Sequence, residues 1–447
     1  MLTTRLITRF EELTELERDW AALVERSGCV AITSTPTWVL PWWRTFGASD
    51  GRELCSIAVA SGGRLVGLAP FLRRPQRNRA GMPFRQIELL ASGEDEQDEI
   101  GSDYLGVIVE RGEEGPVARA LAAVLTSPEF GAWDELSLRA MNGDSPFPLT
   151  FVKALADYGI PAHTEVVASS HHVRIPRTWS EYLEDLPAAR RYMVRRSLRD
   201  FDRWAGGTTH FARARTRDEL AHGLEILKAL HAERWSDAGK SGVFASRRFC
   251  EFHESVMPAL LDMGALDLRW LTVRGAPTCA LYNLVWQKKV HFYQSGRSIR
   301  LPRTLRPGIV MHAHAIQMAI ADGLEEYDFL AGQARYKAEL GPLARPIVNL
   351  TAARPSLSSA ARRVVDLAID LAKPVRRALL AKRPAVDRPQ AVPYALDDAG
   401  KAPVAPKGPD HTSRARPDER IPPASSPRPA GVVTRPGRRG RVGPATS

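Results

Sequence analysis

Cysteine is scarce in this chain: four in 447 residues, Cys29, Cys55, Cys250 and Cys279, with no CxxC pair and no metal-ligand spacing. That excludes a zinc module, a dithiol redox motif and a disulfide scaffold. It fits a reduced, cytoplasmic setting in which cysteines serve as small core residues. Long apolar runs are missing too: charges interrupt each within about a dozen residues, short of the roughly 18 needed to span a bilayer. The N-terminus, Met1-Leu2-Thr3-Thr4-Arg5, leads into acidic helix-like sequence without the apolar core of a secretory signal. HExxH and a Walker loop are likewise absent, which removes the commonest metalloprotease and nucleoside-triphosphatase chemistries.

What is present is material for two or three domains at about 150 residues each, with 44% hydrophobic residues and ten Trp to fill their cores. The formal charge of +11 suggests nucleic-acid binding until it is located. Residues 351–447 hold 19 Lys+Arg against 8 Asp+Glu, which leaves 43 of each sign in the first 350. The basicity belongs to the tail, and the folded part is charge-balanced.

Residues 1–165 read as one α/β unit. Phe10, Leu13, Leu16, Trp20 and Leu23 have helical spacing. Ser34-Thr35-Pro36 suits the start of a helix over 37–46, and Leu54–Ala60, Ser61-Gly62-Gly63 and Arg64–Leu72 make a hairpin. Strands at 86–91, 104–109 and 135–140 and helices at 115–125 and 147–158 follow. A second unit covers 170–350. It opens with helices from Trp179, over 190–204, over 219–235 and over 247–263. Strands at 268–273, 278–286 and 290–294, a helix over 309–321 and a strand at 326–330 close it. Both units contain strand, Gly-bearing turn and strand, which points to a duplicated α/β (α+β) fold with mixed central sheets flanked by helices. Residues 351–383 have the spacing of an amphipathic basic helix, and 384–447, rich in Pro, Arg, Ala and Gly, read as a disordered tail.

Several residues of the second unit form a recognisable set. His231-x-x-Arg234-Trp235, Gly239, Gly242 and Phe244, and Gly275-x-Pro277 before a strand are followed by Pro307-Gly308 before a helix. Asp328-Phe329-Leu330-x-Gly332 and Tyr336-Lys337 complete it, with the basic run Arg190, Arg191, Arg195 and Arg196 ahead. Together they resemble the acyltransferase domain of CelD/BcsL-type proteins, in the GNAT superfamily and related to the FemABX peptidyltransferases. The resemblance covers about residues 170–345 and extends more loosely to the first unit. It implies tandem GNAT-like units, acetyl-CoA or another acyl-CoA as co-substrate without a metal, and a link to polysaccharide or cell-envelope biosynthesis. The glycine-rich phosphate loop of typical members is here reduced to Arg306-Pro307-Gly308.

Acyl transfer needs a held donor, a polarised carbonyl and a base. For the donor, backbone amides of Gly308, Ile309 and Val310 at the start of the 309–321 helix can grip a pyrophosphate, with Arg303 and Arg306 adding charge; a plain strand-to-helix turn is the alternative. His291 and Tyr293 alternate on one strand and share a side. Tyr293 could protonate a leaving thiolate, as in related folds, or both could be half-buried strand residues. Asp328, mid-strand, is either a base for the acceptor or a carboxylate paired with Lys337 or an arginine. His231, Arg234 and Trp235 could bind a sugar-like acceptor or simply pack, and Tyr336 and Lys337 could line the acceptor or phosphate site or lie in an exposed loop. The Arg191, Arg195, Arg199 stripe suits CoA phosphate, an anionic acceptor or tRNA, and equally a solvated face.

The sequence therefore points to an N- or O-acyltransferase acting by direct attack on acyl-CoA, with a small-molecule or glycan-type acceptor. Nucleic acid is not expected as a partner, apart from tRNA if the donor were aminoacyl-tRNA as in FemX-like enzymes. A third reading is an inert member of a polysaccharide-secretion complex, whose tail would contact an anionic membrane or a protein partner.

Overall fold

Two sheets organise the protein. The computed structural model describes residues 1–28, 31–48, 50–302, 304–332, 334–362, 364–366 and 368–369. In the first half the strands are β1 (Leu2–Ile7), β2 (Glu53–Leu54), β3 (Ser56–Ser61), β4 (Arg64–Ala69), β5 (Phe71–Arg77), β6 (Pro83–Leu89), β7 (Ile108–Val109) and β8 (Glu135–Asn142). Its helices are α1 (Phe10–Glu15), α2 (Glu17–Arg26), α3 (Pro36–Phe46), α4 (Glu114–Thr126) and α5 (Phe147–Asp157). After β9 (Ala162–Arg174) come α6 (Trp179–Asp185), α7 (Ala188–Ala205), β10 (Thr209–Arg213), α8 (Arg217–Asp237) and α9 (Arg247–Asp262). Then follow β11 (Leu266–Val273), β12 (Ala276–Trp286), β13 (Lys289–Arg297), α10 (Pro307–Ala321), β14 (Glu326–Asp328), α11 (Arg335–Leu340) and β15 (Leu343–Ala353).

A four-stranded sheet orders as β1-β3-β4-β7, and an eleven-stranded one as β10-β11-β12-β13-β14-β9-β15-β8-β6-β5-β2. The chain passes between them at Pro70, where β4 in the small sheet bends into β5 in the large one. Proline has no N–H for a ladder and so marks such a bend. Each half carries one parallel crossover: β6 to β8 through α4, and β13 to β14 through α10. The two halves thus share one crossover pattern, although the hairpins compared in the sequence lie in different sheets, β3–β4 in the small one and β11–β12 in the large one. The halves then exchange strands. β9 leaves the first half to pair with β14, while β15 leaves the second half to pair with β8, and β9 and β15 pair with each other between them.

Local chemistry explains the elements around the later cleft. The β11–β12 turn holds Arg274 and Gly275 at φ 53° and 76°, the left-handed pair that matches strand twist in a two-residue hairpin. Thr216 and Glu219 form a reciprocal capping box on α8, worth about 1 kcal/mol. A Cβ at Gly296 would lie 2.6 Å from the His231 nitrogen, so glycine lets β13 approach α8 there. One face of the second-half sheet packs with α8, α9 and the first half; the other packs with α7 and α10. Residues 357–362 are helical, and Arg362 donates to Asp134 at 2.8 Å. The helix expected over 351–383 does not begin at 351, where β15 still runs to Ala353; residues 363, 367 and 370–383 of it, and all of the tail at 384–447, lie outside the described residues.

Candidate functional site

β13 and β14 pair only from Lys289 with Glu326 to His291 with Asp328. Past that point β13 continues to Arg297, while the other chain turns away through Leu330 (φ 55°) and Gly332 (φ 126°). Among the described residues, backbone groups of Phe292–Arg297 on that side have no strand partner. A cleft of about 700 Å³ lies against the end of β13, lined by Ser295, Gly296 and Arg297, by the start of α10, by Arg234 and Asp237 of α8 and by Tyr336 of α11.

The helix start is open. Pro307 occupies the first turn and, among the described residues, no side chain caps the N-terminus, which suits proline because the missing N–H would be unsatisfied anyway. A Cβ on Gly308 would meet nothing within 4 Å. Arg234, Arg297 and Arg306 line the same cleft. Arg234 donates to the Ser295 hydroxyl at 3.1 Å and lies 5.5 Å from the Trp235 ring centre. Burial, and then the charge of Arg297, pull its pKa below the usual arginine value. Cations confined in this way favour an anion between them.

Next to this cleft sits a second group of polar side chains. Lys337 is buried, donates to the carbonyls of Leu330 and Ala331, and lies 5.9 Å from the Phe292 ring centre. Burial lowers its pKa, opposed by the carboxylates of Asp103 and Asp328. From the first half, Asp103 accepts the Ala331 N–H at 2.7 Å, and burial pushes its carboxyl up to about 6. His312 stacks on Tyr336 with ring centres 5.2 Å apart, and its Nδ1 is 3.0 Å from the Tyr327 hydroxyl. Burial first, then Lys337 and Arg234, hold its pKa down to about 3, so it is a neutral ring in the floor.

Of the residues expected from sequence, Arg234, Arg306, Gly308, Ile309 and Tyr336 come together on this cleft, and Lys337 lies beside it. Arg303 lies outside the described residues. Val310 is not a free donor: its N–H bonds the Arg306 carbonyl at 3.2 Å and the residue is buried. Asp328 is not placed as a base. It is fully buried and accepts from Tyr104 (2.8 Å), Arg345 (2.7 Å), the Leu330 N–H (2.7 Å) and Ser170. Arg345 also holds Glu326 at 2.9 Å, so the carboxylate anchors the junction of β14, β9 and β15.

His291 and Tyr293 do share a side, but it faces the first half, toward Tyr104 and Trp38 respectively, whereas Phe292 turns toward His312. The Tyr293 hydroxyl donates to the Ile100 carbonyl and lies 3.0 Å from His253 Nε2; burial raises its pKa well above that of free tyrosine. His291 is buried, with its Nδ1 unpartnered and its pKa lowered by burial. Neither ring reaches the cleft. His231 accepts the Trp235 indole N–H at 2.8 Å and is 1% exposed, its pKa held down to about 4 by burial and then by Arg234. His231 and Trp235 therefore pack on each other and on Gly242, and of this helix motif only Arg234 turns into the cleft. Asp103 and Arg297 were missed. Asp103 sits in an acidic loop some 230 positions before its partner Ala331, so no local spacing could have joined them.

Residues 188–338 match the family model of an acetyltransferase (GNAT) domain. The crystal structure of FemX superposes with a TM-score of 0.52 at 12% identity, covering 78% of this chain and 96% of that one. A tandem GNAT protein from the clavulanic acid biosynthesis pathway gives 0.40 at 15% identity, covering 80% and 100%. The C-terminal domain of a putative lysylphosphatidylglycerol synthetase from Agrobacterium fabrum gives 0.46 at 12%, covering 78% and 94%. No curated protein matches the chain. Residues 188–338 are thus similar to a GNAT-type acetyltransferase domain, within a mixed α/β fold. Among the described residues no group of three or more His, Cys, Asp or Glu could hold a metal ion, and no helix is long and apolar enough to cross a membrane.

Proposed function

We propose that the protein is a cytoplasmic acyltransferase of the CelD/BcsL type. It would move an acetyl or other acyl group from acyl-CoA to an amine or hydroxyl of a glycan-type or small-molecule acceptor in polysaccharide or cell-envelope biosynthesis. One observation carries the reading: an uncapped helix start at Gly308 and Ile309 opens into a cleft lined by Arg234, Arg297 and Arg306. Free peptide donors, helix dipole and guanidinium groups are what a pyrophosphate needs, so the residues present fit the donor.

The partnerless edge of β13 beyond His291 offers N–H groups to the donor's carbonyl oxygen, where negative charge develops on attack. Lys337, already aimed at the Ala331 carbonyl, adds positive charge beside that edge. Asp103, with its carboxyl near 6, takes a proton from the acceptor at neutral pH. Attack is direct: Cys279 lines the cleft, but burial pushes its thiol up to about 12, leaving no thiolate nucleophile. Calorimetry with acetyl-CoA tests the reading, with mass spectrometry of co-purifying ligands to identify donor and acceptor; micromolar binding supports it and no binding refutes it.

A second reading, transfer from aminoacyl-tRNA, is favoured by the exposed Arg195 and Arg199 on the outer face of α7. Arg196 and Arg203 beside them are tied to Asp200, which weakens that surface. Charged tRNA binding in place of acetyl-CoA would select it.

A further inference from the structure

The segment joining β13 to α10 is held from behind. Glu233 is the residue before Arg234 on α8, and its Oε1 accepts from the Ser298 hydroxyl and the Ile299 N–H, both at 3.1 Å. Arg300 Nε lies 3.5 Å from the same oxygen. Ser298 is fixed further by its own N–H, which donates to the Thr278 carbonyl at 2.8 Å, and its hydroxyl accepts the Arg300 N–H at 3.2 Å. One carboxylate oxygen therefore gathers a hydroxyl, a peptide N–H and a guanidinium from three successive residues.

This segment is a wall between two cavities. Ser298 and Leu301 line the donor cleft on one side. They also line a groove of about 720 Å³ on the other, between α8 and the β11–β12 turn, which contains Glu233 itself. Ile299 lies on the cleft side and is 42% exposed, so the wall has little apolar packing to keep it in place. A short segment with few buried contacts keeps its shape through its hydrogen bonds, and here those converge on Glu233.

We propose that Glu233 is a positioning residue for the donor: it holds the Ser298–Leu301 wall in register so that Arg306 and the Gly308 amide meet the pyrophosphate together. This rests on the acyl-CoA reading of the cleft. Glu233 touches no part of the cleft's anion site, and its effect reaches the donor only through the wall. Two consecutive residues of α8 thus divide the work, Arg234 entering the cleft and Glu233 bracing its wall from outside.

The experiment uses the full chain, with acetyl-CoA calorimetry and amide hydrogen exchange run on each variant. Glu233→Ala removes two hydrogen bonds and the looser Arg300 ion pair, and hydrogen bonds to a charged group are strong enough that donor affinity should fall about tenfold. Glu233→Gln keeps an acceptor oxygen and should stay within about threefold of wild type. Glu225→Ala alters an exposed carboxylate on the same helix that pairs with Lys228, and should leave affinity unchanged. Amides 299–309 should exchange faster in Glu233→Ala alone. Wild-type affinity in Glu233→Ala, or unchanged exchange across 299–309, overturns the proposal. If wild type fails to bind acetyl-CoA, the donor reading falls. The exchange data still judge the brace, which stands as a loop anchor only if those amides are released and falls if they are not.

Discussion

Placing an aspartate at position 308 separates helix stability from donor binding, because the two respond with opposite sign. Gly308 is the second residue of α10 and a Cβ there meets only open space, so a side chain fits without displacing anything. Replacing glycine inside a helix gains up to about 1 kcal/mol. A carboxylate in the first turn adds about 0.3–1 kcal/mol through the helix dipole. Gly308→Asp should therefore melt at or above the wild-type temperature. For the donor the same charge is harmful. A carboxylate about 5 Å from a phosphate oxygen costs about 1–3 kcal/mol for effective dielectric constants of roughly 80 to 20, a loss of about five- to two-hundredfold in affinity. Gly308→Ala supplies the steric control and should bind within about threefold of wild type. Calorimetry at low ionic strength, paired with thermal melts, reads both effects. Unchanged acetyl-CoA affinity in Gly308→Asp refutes the argument, as does an equal loss in Gly308→Ala, since charge would then have no part in it.

Removing Asp328 leaves the buried Arg345, Tyr104 and Ser170 donors short of a partner. Asp328→Ala should cost about 3–5 kcal/mol in urea unfolding, and a loss under about 1 kcal/mol would show that Arg345 is content with Glu326. Tyr293→Phe should lower stability by about 1–2 kcal/mol through its lost bond to Ile100 while leaving turnover within about threefold; a hundredfold loss of kcat would restore the tyrosine as an acid. The pH dependence follows from Glu94, raised from 4.5 to about 7 chiefly by burial, and Asp103, raised from 3.8 to about 6 likewise. Over that range these two carboxyls hold more protons in the folded chain than in the unfolded one, so their own contribution to stability falls as pH rises from about 4 to 7, while the buried rings of His231 and His312, held neutral, contribute with the opposite sign. Glu94→Gln removes the Glu94 contribution, so the stability gained over wild type should grow as pH rises from about 4 to 7 in melts taken across the range, and a difference that does not vary with pH would mean that Glu94 titrates normally.

Local pattern carried the helices, the hairpins and the helix-start corner. The spacing of Phe10, Leu13, Trp20 and Leu23, and the Pro307-Gly308 step, depend on neighbours within a few residues. β9 and β15 escaped because their neighbours come from the opposite half. Exposed Val166 and Val167 interrupt the alternation of β9 where its register with β15 shifts. Asp328 shows the same limit. Its strand position said that it must be paired, and Arg345 is the partner, 17 residues on. Whether a carboxylate is a base or an anchor depends on how many donors the tertiary fold brings to it, and here there are four. Tyr293 and His291 were rightly placed on one side of their strand. Which side faced the cleft was decided by α10 and the first half, and sequence alternation is blind to that choice.

Because β9 and β15 trade places, neither half owns a finished sheet. A nick between Arg174 and Trp179 would give one piece whose last strand has lost both neighbours. The other piece would be missing the strand between β14 and β15. Each would present unsatisfied peptide groups that the other is shaped to cover, so the two halves hold together as one cooperative sheet that cannot be cut apart without exposing both.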